Sequence, residues 1–299
     1  MFLKNASTET IEDCNNCETP SSLRNRRYEK FLMLPSHYGV ICCPKCQLSW
    51  LSPRPTADSF KELYRFENYF SGEHVPQNYE EISQSRLYFF EQRLLKAVGH
   101  RTGSLRVLEI GAATGEFLNI AAKYGHHVYG VELSSDARAV AKKNYQIDLV
   151  ENIDQLELGL DYDLIHLNHV LEHVPNPKAL LTQLAKKISP TGIIVIEVPQ
   201  QFDNDLDRLR RAIFFFKKKK FDAFSLHHTY FFGCENLRSM SESVGLHVVS
   251  LKTALPEKTP FRTPLFKNIL LRGFLFLADK MHKGGNIIEI KLTRNIENV

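Results

Sequence analysis

Cys14 and Cys17 form a C-x2-C knuckle, and Cys43 and Cys46 form a second. Two such pairs supply four thiolates, the tetrahedral set that Zn2+ takes in a closed structural site. Four thiolates leave no open position for a substrate, so the chemistry implied is structural. Cys42 is a spare expected to pack inward, and Cys234 lies far along the chain. A second group is the turn Gly111-Ala112-Ala113-Thr114-Gly115, which follows the apolar run Leu105 to Ile110. Glycines there let the backbone turn sharply and approach a ligand. Glu132 ends the next apolar run, where a carboxylate can accept two hydrogen bonds from a ribose diol. A third group is Leu226-His227-His228-Thr229-Tyr230-Phe231, whose imidazoles titrate near neutral pH and suit proton removal. His169, Glu172 and His173 stand at i, i+3 and i+4, read as one helical turn. The ordinary reading has Glu172 and His173 capping or bracing the mid-chain site; the alternative is a divalent-metal set completed by His228.

These groups need elements to hold them. From Leu105 the pattern alternates strands and helices. Strands are expected at 105–110, 127–132, near 147–150, at 162–167 and at 193–198, with helices at 116–124, 135–144 and 177–188. Such repetition implies a parallel sheet with helices on both faces, and ligands bind beyond the carboxyl ends of its strands. Upstream, Tyr38 to Cys42 reads as the strand entering the second knuckle, and Pro53 and Pro55 mark a boundary. Leu87, Phe90, Leu94 and Val98 recur at helical spacing and predict an amphipathic helix packed on the next domain. The chain thus divides into a zinc-binding domain over 1–56, a helical linker or cap over 57–100, and an α/β domain over 101–299 with an insertion at about 199–235.

Leu108 to Gly115 resembles the first motif of class I S-adenosylmethionine-dependent methyltransferases, and Val131-Glu132 resembles their second. Asp161 to Ile165 and His169 to Val174 resemble the fourth-strand motif and the segment after it. The resemblance implies a Rossmann-like, seven-stranded sheet whose last strand is antiparallel, with 245–251 and 287–292 as its final strands. It implies S-adenosyl-L-methionine as cofactor. Gly111, Ala113 and Gly115 would line its methionine and ribose, Glu109 would help hold its amino-acid end, and Glu132 would bind both ribose hydroxyls. Asn152 would lie near adenine, and Asn168 and His169 would border the sulfonium. Ala113 replaces the commoner glycine. Phe221 to His228 is similar to the catalytic loop of bacterial sugar C-methyltransferases, which also carry paired C-x2-C knuckles at the N-terminus. In that match His228 takes the place of the catalytic histidine, with His227 where the family has glutamate and Ser225 where it has tyrosine. The resemblance implies methylation, at carbon or oxygen, of a sugar or polysaccharide precursor.

The composition fits this reading. The chain has 299 residues, 43% apolar and 24% charged, which excludes a disordered or low-complexity protein. A net charge of +4 argues against nucleic acid as partner, although an RNA methyltransferase using the zinc ribbon is the competing function. Polar residues from Asn5 to Glu9 interrupt any secretory signal, so the expected location is cytoplasmic, where clustered cysteines favour metal. The apolar stretch Ile269 to Ala278 is too short to span a bilayer. Arg208, Arg210, Arg211 and Lys217 to Lys220 form a basic run. It fits a lid whose cations meet the phosphate of a nucleotide-linked or lipid-linked sugar, a peripheral membrane contact, or a solvated loop.

Overall fold

The computed structural model describes residues 7–21, 26–27, 38–63, 84–157, 159, 161–202, 228–254 and 285–294. The first part holds β1 (Thr8–Glu9), β2 (Arg26–Arg27), β3 (Val40–Cys42), β4 (Ser49–Leu51) and β5 (Arg54–Pro55). β1 pairs with β5, and β2, β3 and β4 form an antiparallel sheet. Its outer edge is closed by β10 (Tyr230–Phe231), with Tyr230 opposite Trp50 and Phe231 opposite Ser49. A strand from the far end of the chain therefore belongs to the N-terminal sheet. Trp50, Leu48 and Ile41 are buried in one continuous core with Tyr230, Phe232 and Leu237. Cys42 is buried beside the knuckle, as its strand position suggests.

Helices α1 (Ala57–Leu63) and α2 (Gln84–Val98) follow. The apolar face of α2 seats Leu94 and Ala97 against Val107, Phe117, Leu118, Leu164 and Val195. Plain core packing is thus the role of its helical-period residues.

The main sheet contains β6 (Arg106–Ile110), β7 (His127–Val131), β8 (Tyr162–Asn168), β9 (Ile188–Pro199), β11 (His247–Ala254) and β12 (Ile287–Thr293). Their order is β11-β12-β9-β8-β6-β7. β7, β6, β8 and β9 run parallel, while β12 is antiparallel to both β9 and β11. The seven strands expected from the sequence become six. The strand near 147–150 reduces to one parallel bridge, Val131 with Val150. Gln146 sits in the left-handed conformation at the end of its helix, and only Val150 N–H to Gly130 O and Glu132 N–H to Val150 O follow it. The chain then turns into a short 3-10 segment at Ile153–Gln155 rather than continuing along β7.

Helices α3 (Glu116–Lys123), α4 (Ser135–Tyr145), α5 (Pro177–Lys187) and α6 (Cys234–Ser243) connect the strands. Ser134 and Asn176 cap α4 and α5 by accepting from Ala137 N–H and Ala179 N–H, and Pro177 begins α5 where its missing N–H costs nothing. The start of α5 also anchors the N-terminal module: Asn15 Nδ2 donates to Asn176 Oδ1 at 2.8 Å, and Lys178 Nζ donates to Asn16 O at 3.1 Å. Arg54 Nη1 donates to Pro175 O at 2.8 Å and to the Tyr230 hydroxyl at 3.2 Å.

Candidate active site

β6 has β7 on one side and β8 on the other, so the strand order reverses at its carboxyl end. The turn after β6 lies at that crevice. Gly111, Ala113 and Gly115 all have left-handed backbones, with φ of 70°, 47° and 83°. A Cβ at Gly111 would come within 2.5 Å of Val170 Cγ2, so the turn packs directly on the segment leaving β8. Glu132 Oε2 accepts from Ala113 N–H and Oε1 from Ser134 N–H, each at 2.8 Å. Burial raises the pKa of Glu132, opposed by these two donors and the charge of Arg138. Its carboxylate is thereby fixed beside the turn. Asn152 is exposed beyond the Val150 bridge, where its side chain accepts from Asp154 N–H at 3.2 Å.

Glu109 is buried in β6. Its Oε1 lies 3.1 Å from His166 Nδ1, and Oε2 has no hydrogen-bond partner among the described residues. The His166 ring stacks on Phe117 with centroids 4.1 Å apart. Burial, with the charge of Glu116, raises the pKa of Glu109 well above the usual carboxyl range, and burial lowers that of His166 to about 3. Burial thus disfavours the charged form of both partners.

At the ends of β8 and β9 a polar network gathers around Arg93 of α2. Arg93 Nη1 donates to Asn168 Oδ1 at 2.8 Å, and Nη2 pairs with Glu197. His169, at φ 55°, bridges two carboxylates, with Nδ1 3.2 Å from Glu172 and Nε2 3.4 Å from Glu197. Burial pulls its pKa down, but those hydrogen bonds and charges outweigh burial and raise it to about 9. Residues 170–173 form a hydrogen-bonded turn, and 169–173 do not make the helical turn expected, with His173 N–H donating to Val170 O. The positive φ of His169 takes the chain out of helical geometry. His173 and His228 meet edge to face with ring centroids 4.8 Å apart, and His228 Nδ1 lies 3.0 Å from Gln201 Oε1.

The family model described as a methyltransferase domain matches residues 77–251, more than half of the chain. The chain belongs to the S-adenosylmethionine-dependent methyltransferases. The methyltransferase is similar to the mitochondrial ubiquinone biosynthesis O-methyltransferase of Schizosaccharomyces pombe, 31% identical over 100 residues that cover 30% of this chain and 36% of that protein. It is similar also to the ubiquinone biosynthesis O-methyltransferase of Hydrogenovibrio crunogenus, 28% identical over 120 residues, 37% of this chain and 47% of that one. The chain thus spans less than half the length of these two relatives. Among solved structures, it is similar to a SAM-dependent methyltransferase from Archaeoglobus fulgidus, with 19% identity, a TM-score of 0.48, and coverage of 76% of this chain and 97% of that one.

The residues present in the methyltransferase fit its cofactor. Three left-handed residues bend the turn at the end of β6, Glu132 is oriented by two N–H donors, and Glu109 keeps a buried oxygen without a partner among the described residues. The four cysteines also come together. Cys14 and Cys46 sulfurs are 3.4 Å apart, Cys17 and Cys43 sulfurs are 3.5 Å apart, and all four lie within 4.8 Å of one another. Zn–S bonds of about 2.3 Å in a tetrahedron put sulfurs roughly 3.8 Å apart, so the cluster matches a structural zinc site. His227 and the basic run at 208–220 lie outside the described residues. Arg93 and Gln201 were not singled out by sequence reasoning. Glu197-Val198-Pro199, similar to the turn after the fifth strand in sugar C-methyltransferases, carried a signal. Among the described residues, no helix is long and apolar enough to cross a membrane.

Proposed function

We propose that this methyltransferase moves a methyl group to a hydroxyl of a small molecule, with sugar and polysaccharide precursors, nucleotide-linked or lipid-linked, as the leading acceptor class. The observation that carries the reading is the convergence of Glu172, His173 and His228 beside Asn168 and His169, next to the cofactor crevice. The names of the two relatives support oxygen as the methylated atom. The similarity of 221–228 to the catalytic loop of sugar C-methyltransferases supports the acceptor class.

S-adenosylmethionine, when bound, would supply an electrophilic methyl carbon, which an oxygen nucleophile attacks in line as the sulfur leaves. The protein's part is alignment and proton removal. Gly111, Ala113 and Gly115 admit the cofactor closely, and Glu132 orients its ribose. Arg93 and Glu197 hold Asn168 and His169 at the mouth. The acceptor's proton leaves at the cluster that contains His228. The oxygen pair then forms the O–C bond, and the C–S pair stays on sulfur.

Labelled-methyl transfer to nucleotide sugars, glycans, small phenols and RNA tests the proposal. His228→Ala should lose about 100-fold or more in transfer while cofactor binding by calorimetry persists. Full activity in that variant, or transfer to RNA alone, overturns it.

A further inference from the structure

Glu172 is wholly enclosed, at 0% exposure, yet its Oε2 has no hydrogen-bond partner among the described residues. Leaving such an atom unpaired is costly, most of all for a charged group. Its other oxygen already sits 3.2 Å from His169 Nδ1 and 3.8 Å from His173 Nε2. The backbone of Glu172 is also held from outside. Thr229 N–H, Tyr230 N–H and the Thr229 hydroxyl all donate to the backbone oxygen of Glu172, at 2.8, 3.1 and 3.0 Å. That anchor sets His228, one residue earlier, against the same group. One ligand atom from each of Glu172, His173 and His228 lies within 4.8 Å of the other two. Gln201 Oε1 can only accept, so His228 Nδ1 carries the proton in the neutral ring and Nε2 carries the lone pair. An outer carbonyl that fixes the tautomer in this way is the usual support of a metal-ligating histidine.

We infer that Glu172, His173 and His228 bind a first-row divalent cation of the Mn2+ or Zn2+ type, separate from the cysteine cluster. One carboxylate and two imidazoles suit these ions, whereas Mg2+ and Ca2+ take oxygen ligands. Three protein ligands leave open positions, unlike the closed four-thiol site. Resting on the proposed function, the acceptor hydroxyl fills one of them. The cation lowers the hydroxyl's pKa, its proton passes to water, and the resulting oxygen anion attacks the methyl carbon. His228 then acts as a ligand rather than as a free base.

The test uses full-length protein whose cysteine cluster holds zinc, titrated with Mn2+ and followed by the electron paramagnetic resonance signal of the free ion. One equivalent should bind. Glu172→Gln and His228→Ala should each weaken it more than about tenfold, the lower bound for disturbing even an outer partner of a metal site. If Glu172→Gln fails to fold, the partly exposed His228 carries the test, with cofactor calorimetry as the folding check. No uptake at millimolar Mn2+ by protein that binds cofactor overturns the site, as does unchanged affinity in His228→Ala. One bound Mn2+ without methyl transfer to any hydroxyl leaves the site standing and overturns the proposed function instead.

Discussion

Gly111 carries two constraints at once, a left-handed backbone and a wall formed by Val170. An alanine there pays about 1–2 kcal/mol for its backbone and a further 1–3 kcal/mol for crowding. Gly111→Ala is therefore expected to lower unfolding stability in urea by about 2–5 kcal/mol without cofactor. Adding Val170→Ala should restore only the crowding part, because the φ of 70° persists. Full rescue by the double variant would show that the backbone term is absent. Residue types were legible where chemistry and local spacing coincide. The four cysteines, Glu132 and the glycine turn announce themselves within a few residues. Arg93 does not: it sits between the apolar residues Phe90 and Leu94 of an amphipathic helix, and nothing nearby says that it reaches Asn168, 75 residues away in sequence.

At the scale of elements, β12 is held to its neighbours by Glu289, which pairs with Lys96 of α2 at 2.5 Å and with Lys252 of β11 at 3.1 Å. Burial alone would raise the pKa of Glu289, but the hydrogen bonds and charges of Lys96 and Lys252 outweigh it and hold it below the ordinary value. A carboxyl depressed in the fold adds stability above its unfolded pKa and loses it as pH falls through the folded one. Both lysines are partly exposed, so the contribution is of order 1 kcal/mol or less. Glu289→Gln should be less stable than wild type at pH 7, and the gap in urea midpoints should close below about pH 4. A gap that widens in acid would refute the assignment. The β–α alternation made most of these strands readable. The strand near 147–150 was not, because an apolar run of Ile147, Leu149 and Val150 looks the same whether it makes a ladder or a single bridge.

For the whole molecule, the N-terminal sheet takes in β10, which begins two residues after His228 of the proposed methyl-transfer site. The chain has one tryptophan, Trp50, buried in that module opposite Tyr230, with its indole N–H donating to Ile11 O at 3.1 Å. Treating the cysteines with a thiol-specific mercurial should shift Trp50 emission to the red and abolish transfer together, because His228 precedes β10 by two residues. Cofactor binding, proposed to depend on the turn after β6 and on Glu132, should persist. Transfer that survives a complete Trp50 shift would separate the module from the site. The sequence marked His228 for its chemistry but concealed this partnership, since Tyr230-Phe231 pairs with residues 49–50, far outside any local pattern.

The shared sheet also orders the birth of the protein. β4 leaves the ribosome about 180 residues before β10, so its outer edge stays unpaired through most of synthesis. An open strand edge invites pairing with other chains. The burden on the nascent polypeptide falls on the interval between residues 51 and 230, when the four cysteines can already gather but the sheet that carries them is one strand short.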